Sequence, residues 1–184
     1  MKQVLLAACA AFIFAGCTDT KKEDAAAPAP AAAAAATTET KAPLPYPLEK
    51  PYRNWEIGSH QNVVTAMSAL KAFADKDFAA LEATMGDSME VSFDYMNEKM
   101  SKDSAVKMFT KLRGTYGDIK VTMYDYVPVI AGDKSEEWVT LWYKQVWQDS
   151  KGKWDSAAVI DDCKMKNGKM ILLDEKMQKY PVKK

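Results

Sequence analysis

From residue 59 onward the apolar positions repeat first at helical and then at strand spacing. Val63, Met67, Leu70 and Ala74 recur at i, i+4, i+7 and i+11, which predicts a helix over residues 59–75 with one apolar stripe. Ser59 is its expected N-cap. Phe78, Leu81 and Met85 predict a second, short helix opening at Asp77 and stopped by Gly86. Met89, Val91, Phe93 and Tyr95 then alternate with Glu90, Ser92 and Asp94, the pattern of a half-buried strand. Ser101 opens a third helix whose stripe is Ala105, Met108, Phe109, Leu112 and Tyr116, ended by Gly114 and Gly117.

Everything beyond reads as strands, over residues 119–130, 137–148, 154–166 and 169–177. Pro128 marks the first of these as an edge or a bulge. Asn167-Gly168 is a two-residue hairpin signal between the last two. About three helices followed by an antiparallel meander predict an α+β domain. A long curved sheet with helices on one face leaves a concavity between the layers, a common place for a ligand.

Residues 1–51 follow neither period. Lys2 is followed by an apolar run over residues 4–14 and then by Ala15, Gly16 and Cys17. A charged start, a short apolar middle and small residues before a cut describe a secretory signal. The run falls short of the roughly 20 apolar residues that a membrane-spanning helix needs. Phe14-Ala15-Gly16-Cys17 resembles the bacterial lipoprotein signal, with phenylalanine where that family usually has leucine. The resemblance implies that residues 1–16 are removed and that Cys17 is acylated. Thr18 stands where an aspartate would favour inner-membrane retention, so it also implies the outer membrane, reached through a lipid anchor. Over residues 17–51 the chain carries six of its eight prolines and an unbroken alanine run at 31–36. So little apolar surface cannot offset the entropy of ordering, and a tether is expected before a domain over residues 52–184.

The 184 residues carry 25 basic and 25 acidic side chains, so net charge gives no case for nucleic acid. Three cysteines and one histidine, with no C-x-x-C, exclude a zinc finger, an iron–sulfur site and a disulfide scaffold. Scattered carboxylates without ligand spacing predict no metal, and no motif asks for a cofactor.

Four stretches of the domain, in order, are ALKAFADKDF (69–78), MGDSMEVSFD (85–94), the third helix (101–112) and IDDCKMKNGKM (160–170). Together they resemble the nuclear transport factor 2-like superfamily, the cone fold of SnoaL-like polyketide cyclases and ketosteroid isomerases. The resemblance implies a pocket aspartate at Asp161, a base near Asp94 in the isomerase branch, and a homodimer through the open sheet face. It also implies a tyrosine on the first helix near Ala69 for isomerase chemistry. The helix has none, which removes a large oxyanion-stabilising contribution.

Counting back from the Asn167-Gly168 turn places Asp161, Cys163 and Met165 on one face with Val159, and Asp162, Lys164 and Lys166 on the other. Apolar neighbours choose the inside, so Asp161 is expected to face the concavity. There its pKa would rise and it would serve as acid, base or donor, or as a structural aspartate bonded to a Tyr, a Trp or the backbone. Trp138, Trp142, Tyr143, Trp147 and Trp154 crowd two neighbouring strands, so both faces of the strand over 137–148 are apolar. One face is core, and the other lines a pocket or packs a partner. Trp142, Tyr143, Cys163 and Met165 therefore join Asp161 as candidate ligand contacts, with Cys163 otherwise an inert core thiol. Alternation puts Asp94 outside, and His60 reads as a surface or capping residue.

A pocket-forming fold without a complete catalytic set predicts a non-enzymatic envelope lipoprotein that binds a small, mostly apolar molecule or a partner. The alternatives are a small isomerase- or cyclase-type enzyme using Asp161 as acid or base, and a docking subunit of an envelope complex.

Overall fold

The computed structural model describes residues 42–180, and the folded unit begins at Tyr46. Cys17, the signal and most of the expected tether lie outside the described residues.

Helix α1 spans His60–Asp75, with the Ser59 side chain accepting from the Gln61 backbone N–H. Its deepest face is Val63, Ala66, Ala69 and Ala72, not the stripe of Met67, Leu70 and Ala74 that spacing alone selects. Alanines let the helix backbone approach the layer beneath, and the longer Met67 and Leu70 flank that contact half-buried. Helix α2 is Phe78–Thr84, capped by Asp77. It ends before Gly86, which lies inside strand β2 (Met85–Phe93) and so does not stop the helix. Helix α3 is Lys102–Gly114, with Ser101 accepting from the Ser104 N–H.

The four long strands fall where alternation puts them: β4 (Ile119–Ile130), β5 (Glu137–Gln148), β6 (Trp154–Lys166) and β7 (Lys169–Lys179). Two further strands, β1 (Glu56–Ile57) and β3 (Met96–Ser101), are not foreseen by the sequence reading. The first is too short to show a period, and the second is a mostly exposed edge that buries no alternate face. The sheet has seven strands in the order β1-β4-β5-β6-β7-β2-β3. Every neighbouring pair is antiparallel except β2 and β7.

Helices α1 and α3 pack on one face of this sheet and α2 bridges them. Met89, Val91, Val139, Leu141 and Val159 are sealed between the layers. The architecture is the α+β domain that the order of elements predicts, in the cone form that the resemblance implies. Among the described residues, no helix is long and apolar enough to cross a membrane.

Candidate functional site

Between the helices and the sheet lies a cavity of about 60 Å³. Its walls are mainly apolar: Ala69 and Phe73 from α1, Leu81 from α2, Phe109 from α3, Phe93 from β2 and Leu173 from β7. Met177, itself 39% exposed, lines it as well, so the cavity reaches the surface on the β7 side.

The floor carries the polar groups. Asp161 enters from β6 and is 5% exposed. The Tyr143 hydroxyl, from β5, donates to Asp161 Oδ2 at 3.0 Å. The other oxygen, Oδ1, has no partner, and it is the one buried side-chain oxygen or nitrogen so placed among the described residues. Glu175 stands directly opposite Asp161 in the β6–β7 ladder. Cross-strand neighbours have Cβ atoms roughly 5 Å apart, so the two carboxyl groups share one patch of floor.

Both carboxyls are shifted upward. Burial pushes the Asp161 pKa well above the ordinary carboxylate range, the Glu175 charge pushes it further, and the Tyr143 hydrogen bond opposes both. Glu175 is raised to about 7, first by burial and then by the charge of Asp94. Tyr143 is raised well above its usual value by burial and by Asp161. Burial likewise holds Cys163 as a neutral thiol, which makes it a wall atom rather than a nucleophile. Among the described residues, no lysine, arginine or histidine lines the cavity. Among the described residues, no group of three or more His, Cys, Asp or Glu side chains is placed to hold a metal ion.

Of the five candidate ligand contacts singled out in the sequence, Asp161, Tyr143 and Cys163 line this cavity and two do not. Trp142 alternates with Tyr143 and so faces the opposite side of the sheet, beside Trp138 and Thr140. Met165 shares the face of Asp161 but is core, 3% exposed, and does not line the cavity. Asp94 is exposed in the β2–β3 turn, and His60 is exposed at the start of α1, its ring 6.2 Å from that of Tyr126.

Glu175 was missed for a definite reason. Met165 pairs with Met170, but Lys164 pairs with Leu172, so Ile171 is an extra residue in β7. Counted straight out from the Asn167-Gly168 turn, Asp161 would meet Asp174 and Glu175 would face outward. The bulge shifts the register by one and turns Glu175 inward. Gly86 on the neighbouring strand makes room for it: a Cβ there would lie 2.9 Å from Ile171 Cγ2.

No protein-family model matches the chain, and no curated protein matches it. Solved structures do. A nuclear transport factor 2-like protein of unknown function from Burkholderia pseudomallei superposes with a TM-score of 0.54 at 10% identity, covering 65% of this chain and 92% of that one. One from Exiguobacterium sp. gives 0.53 at 16%, covering 62% and 98%. The domain has the nuclear transport factor 2-like fold. An M. tuberculosis LEH-like epoxide hydrolase also superposes, with a TM-score of 0.51 at 12% identity over 64% of this chain and 83% of its own. At such identities the likeness concerns the fold and leaves the chemistry to the site. In this nuclear transport factor 2-like cone Ala69 lies in the cavity wall, and the tyrosine hydroxyl comes instead from β5.

Proposed function

We propose that this cone is a small-molecule binding domain, carried on a lipid anchor at Cys17 in the outer membrane, and that it holds its ligand without converting it. The observation that carries the reading is Asp161 Oδ1, a buried polar atom without a partner in the floor of an apolar cavity. A desolvated, unpaired oxygen costs about 1–3 kcal/mol, and a ligand that supplies its partner recovers that cost. The apolar walls supply the remaining affinity.

Native mass spectrometry of the protein extracted from its own envelope tests this. A co-purifying small molecule that disappears in Asp161→Leu supports the reading. A protein that carries nothing, with Asp161→Leu indistinguishable from the parent, would sink it.

A second reading is acid–base catalysis, favoured by the pairing of Asp161 with Glu175. Two adjacent carboxyls with displaced pKa values are the arrangement from which a general acid and a general base are drawn. It differs in outcome: the captured molecule, returned to the protein at neutral pH, changes mass if the site is catalytic and stays intact if it only binds. The outer sheet face, with Trp138 and Trp142, is proposed as the contact between two copies of the chain. A monomer by sedimentation at micromolar concentration would contradict that.

A further inference from the structure

The cavity floor holds two carboxyl groups and no cation. Asp161 and Glu175 face each other across β6 and β7, and Asp94 adds its charge at the β2–β3 turn. The basic group that acts on Asp161 is Lys176. It sits on the opposite side of the sheet, bound to Asp162 at 2.9 Å and Asp174 at 2.8 Å. Buried carboxyls are normally paired, and a site that leaves them unpaired is poised for a counter-charge.

Resting on the binding reading above, we propose that the ligand is a small lipophilic amine, whose ammonium group seats between Asp161 Oδ1 and Glu175 while its alkyl or aryl part fills the apolar walls.

The donor count fits. A primary ammonium has three N–H donors and no acceptor. Asp161 Oδ1 has no partner, the Glu175 carboxyl is adjacent, and the Tyr143 oxygen can still accept while its hydrogen points to Asp161 Oδ2. Phe73, Phe93, Phe109 and Tyr116 line the same cavity, and aromatic rings attract a cation in a desolvated site. An anion of the same size would be repelled by the two carboxyls and would find no cation, only the neutral Gln145 amide and tyrosine hydroxyls, and a neutral alcohol satisfies one oxygen but neutralises nothing.

The other titratable groups around the seat do not supply the counter-charge. Tyr116, Tyr143 and Cys163 are all raised, so they are uncharged at neutral pH. Tyr95, in the turn beside Asp94, is raised as well. Ammonium binding therefore strengthens as Glu175 ionises, and an alkylamine keeps its own proton to about pH 10, as lysine does.

Titration of the purified protein with hexylamine, hexan-1-ol and hexanoate, followed by backbone-amide NMR of β6 and β7, tests the assignment. Hexylamine is expected to bind most tightly at about pH 8 and to weaken about tenfold or more at about pH 5.5, with hexan-1-ol unchanged. Asp161→Asn and Glu175→Gln should each weaken hexylamine about tenfold or more and leave hexan-1-ol within about twofold. Hexan-1-ol or hexanoate binding at about pH 8 as tightly as hexylamine overturns the amine assignment and leaves the binding cavity standing. None of the three shifting any amide of β6 or β7 overturns the binding reading and the assignment with it.

Discussion

The floor of the cavity is held by one hydrogen bond, and its loss is measurable. Tyr143→Phe removes the donor to Asp161 Oδ2 and leaves both oxygens unpaired. It should cost about 1–3 kcal/mol in chemical denaturation, with little change in the slope. Glu175 makes stability fall with pH. Its folded pKa is raised from 4.5 to about 7, so the folded state holds a proton that the unfolded state has already released. Stability is full while both states are protonated and drops by about 3 kcal/mol as pH rises through about 7. Glu175→Gln should flatten a melting-temperature profile over that range. The inward aim of Asp161 was legible because strand alternation fixes a face as soon as one apolar neighbour is known. That of Glu175 was not, because a bulge leaves no mark on the period and Ile171 looks like any other strand residue.

Among the elements, α1 and α3 are joined by a side chain that the apolar pattern hides. Arg113 lies in the last turn of α3, 3% exposed. Its guanidinium donates to the carbonyls of Phe73 and Ala74 at the end of α1 and to those of Tyr116 and Gly117 in the loop entering β4. The carbonyl end of a helix carries partial negative charge, and the nearby charges of Asp118 and Asp75 add to it, so the cation is balanced. Arg113→Met would leave the half-buried carbonyls of Ala74, Tyr116 and Gly117 without this donor, while Phe73 keeps its bond from the Lys76 N–H, and should destabilise by about 3 kcal/mol in a urea titration. Arg113→Lys should recover only part, since an ammonium cannot fork to two chain segments. At the other end of the domain, Asn167 and Gly168 take φ values of 52° and 73° in the β6–β7 turn. Gly168→Ala should lower stability by about 1–2 kcal/mol from backbone strain alone, since a Cβ there meets nothing. The turn was readable from two residues. Arg113 was not, because a buried arginine at a helix end looks like a surface one until the neighbouring helix is in place.

Across the whole molecule, the fold was legible because the three helices precede the four long strands and each of those four is long enough to show its period. The proposed anchor is tested separately from the cavity: Cys17→Ser should move the protein from the membrane pellet to the soluble fraction, and a variant that still pellets contradicts lipidation. The one parallel pairing in the sheet sets the order in which the chain can assemble. Strand β2 hydrogen-bonds to β7 and carries β3 on its far edge, so Met85–Ser101 cannot join the sheet until the last described strand is present. Until then the apolar side of β2, Met89 and Val91, has no ladder to hold it against the core. A chain lacking β7 therefore stays open, and the domain closes only once that strand is in place. The closing contact joins segments far apart in the chain, a long-range pairing of the kind that forms late and slowly.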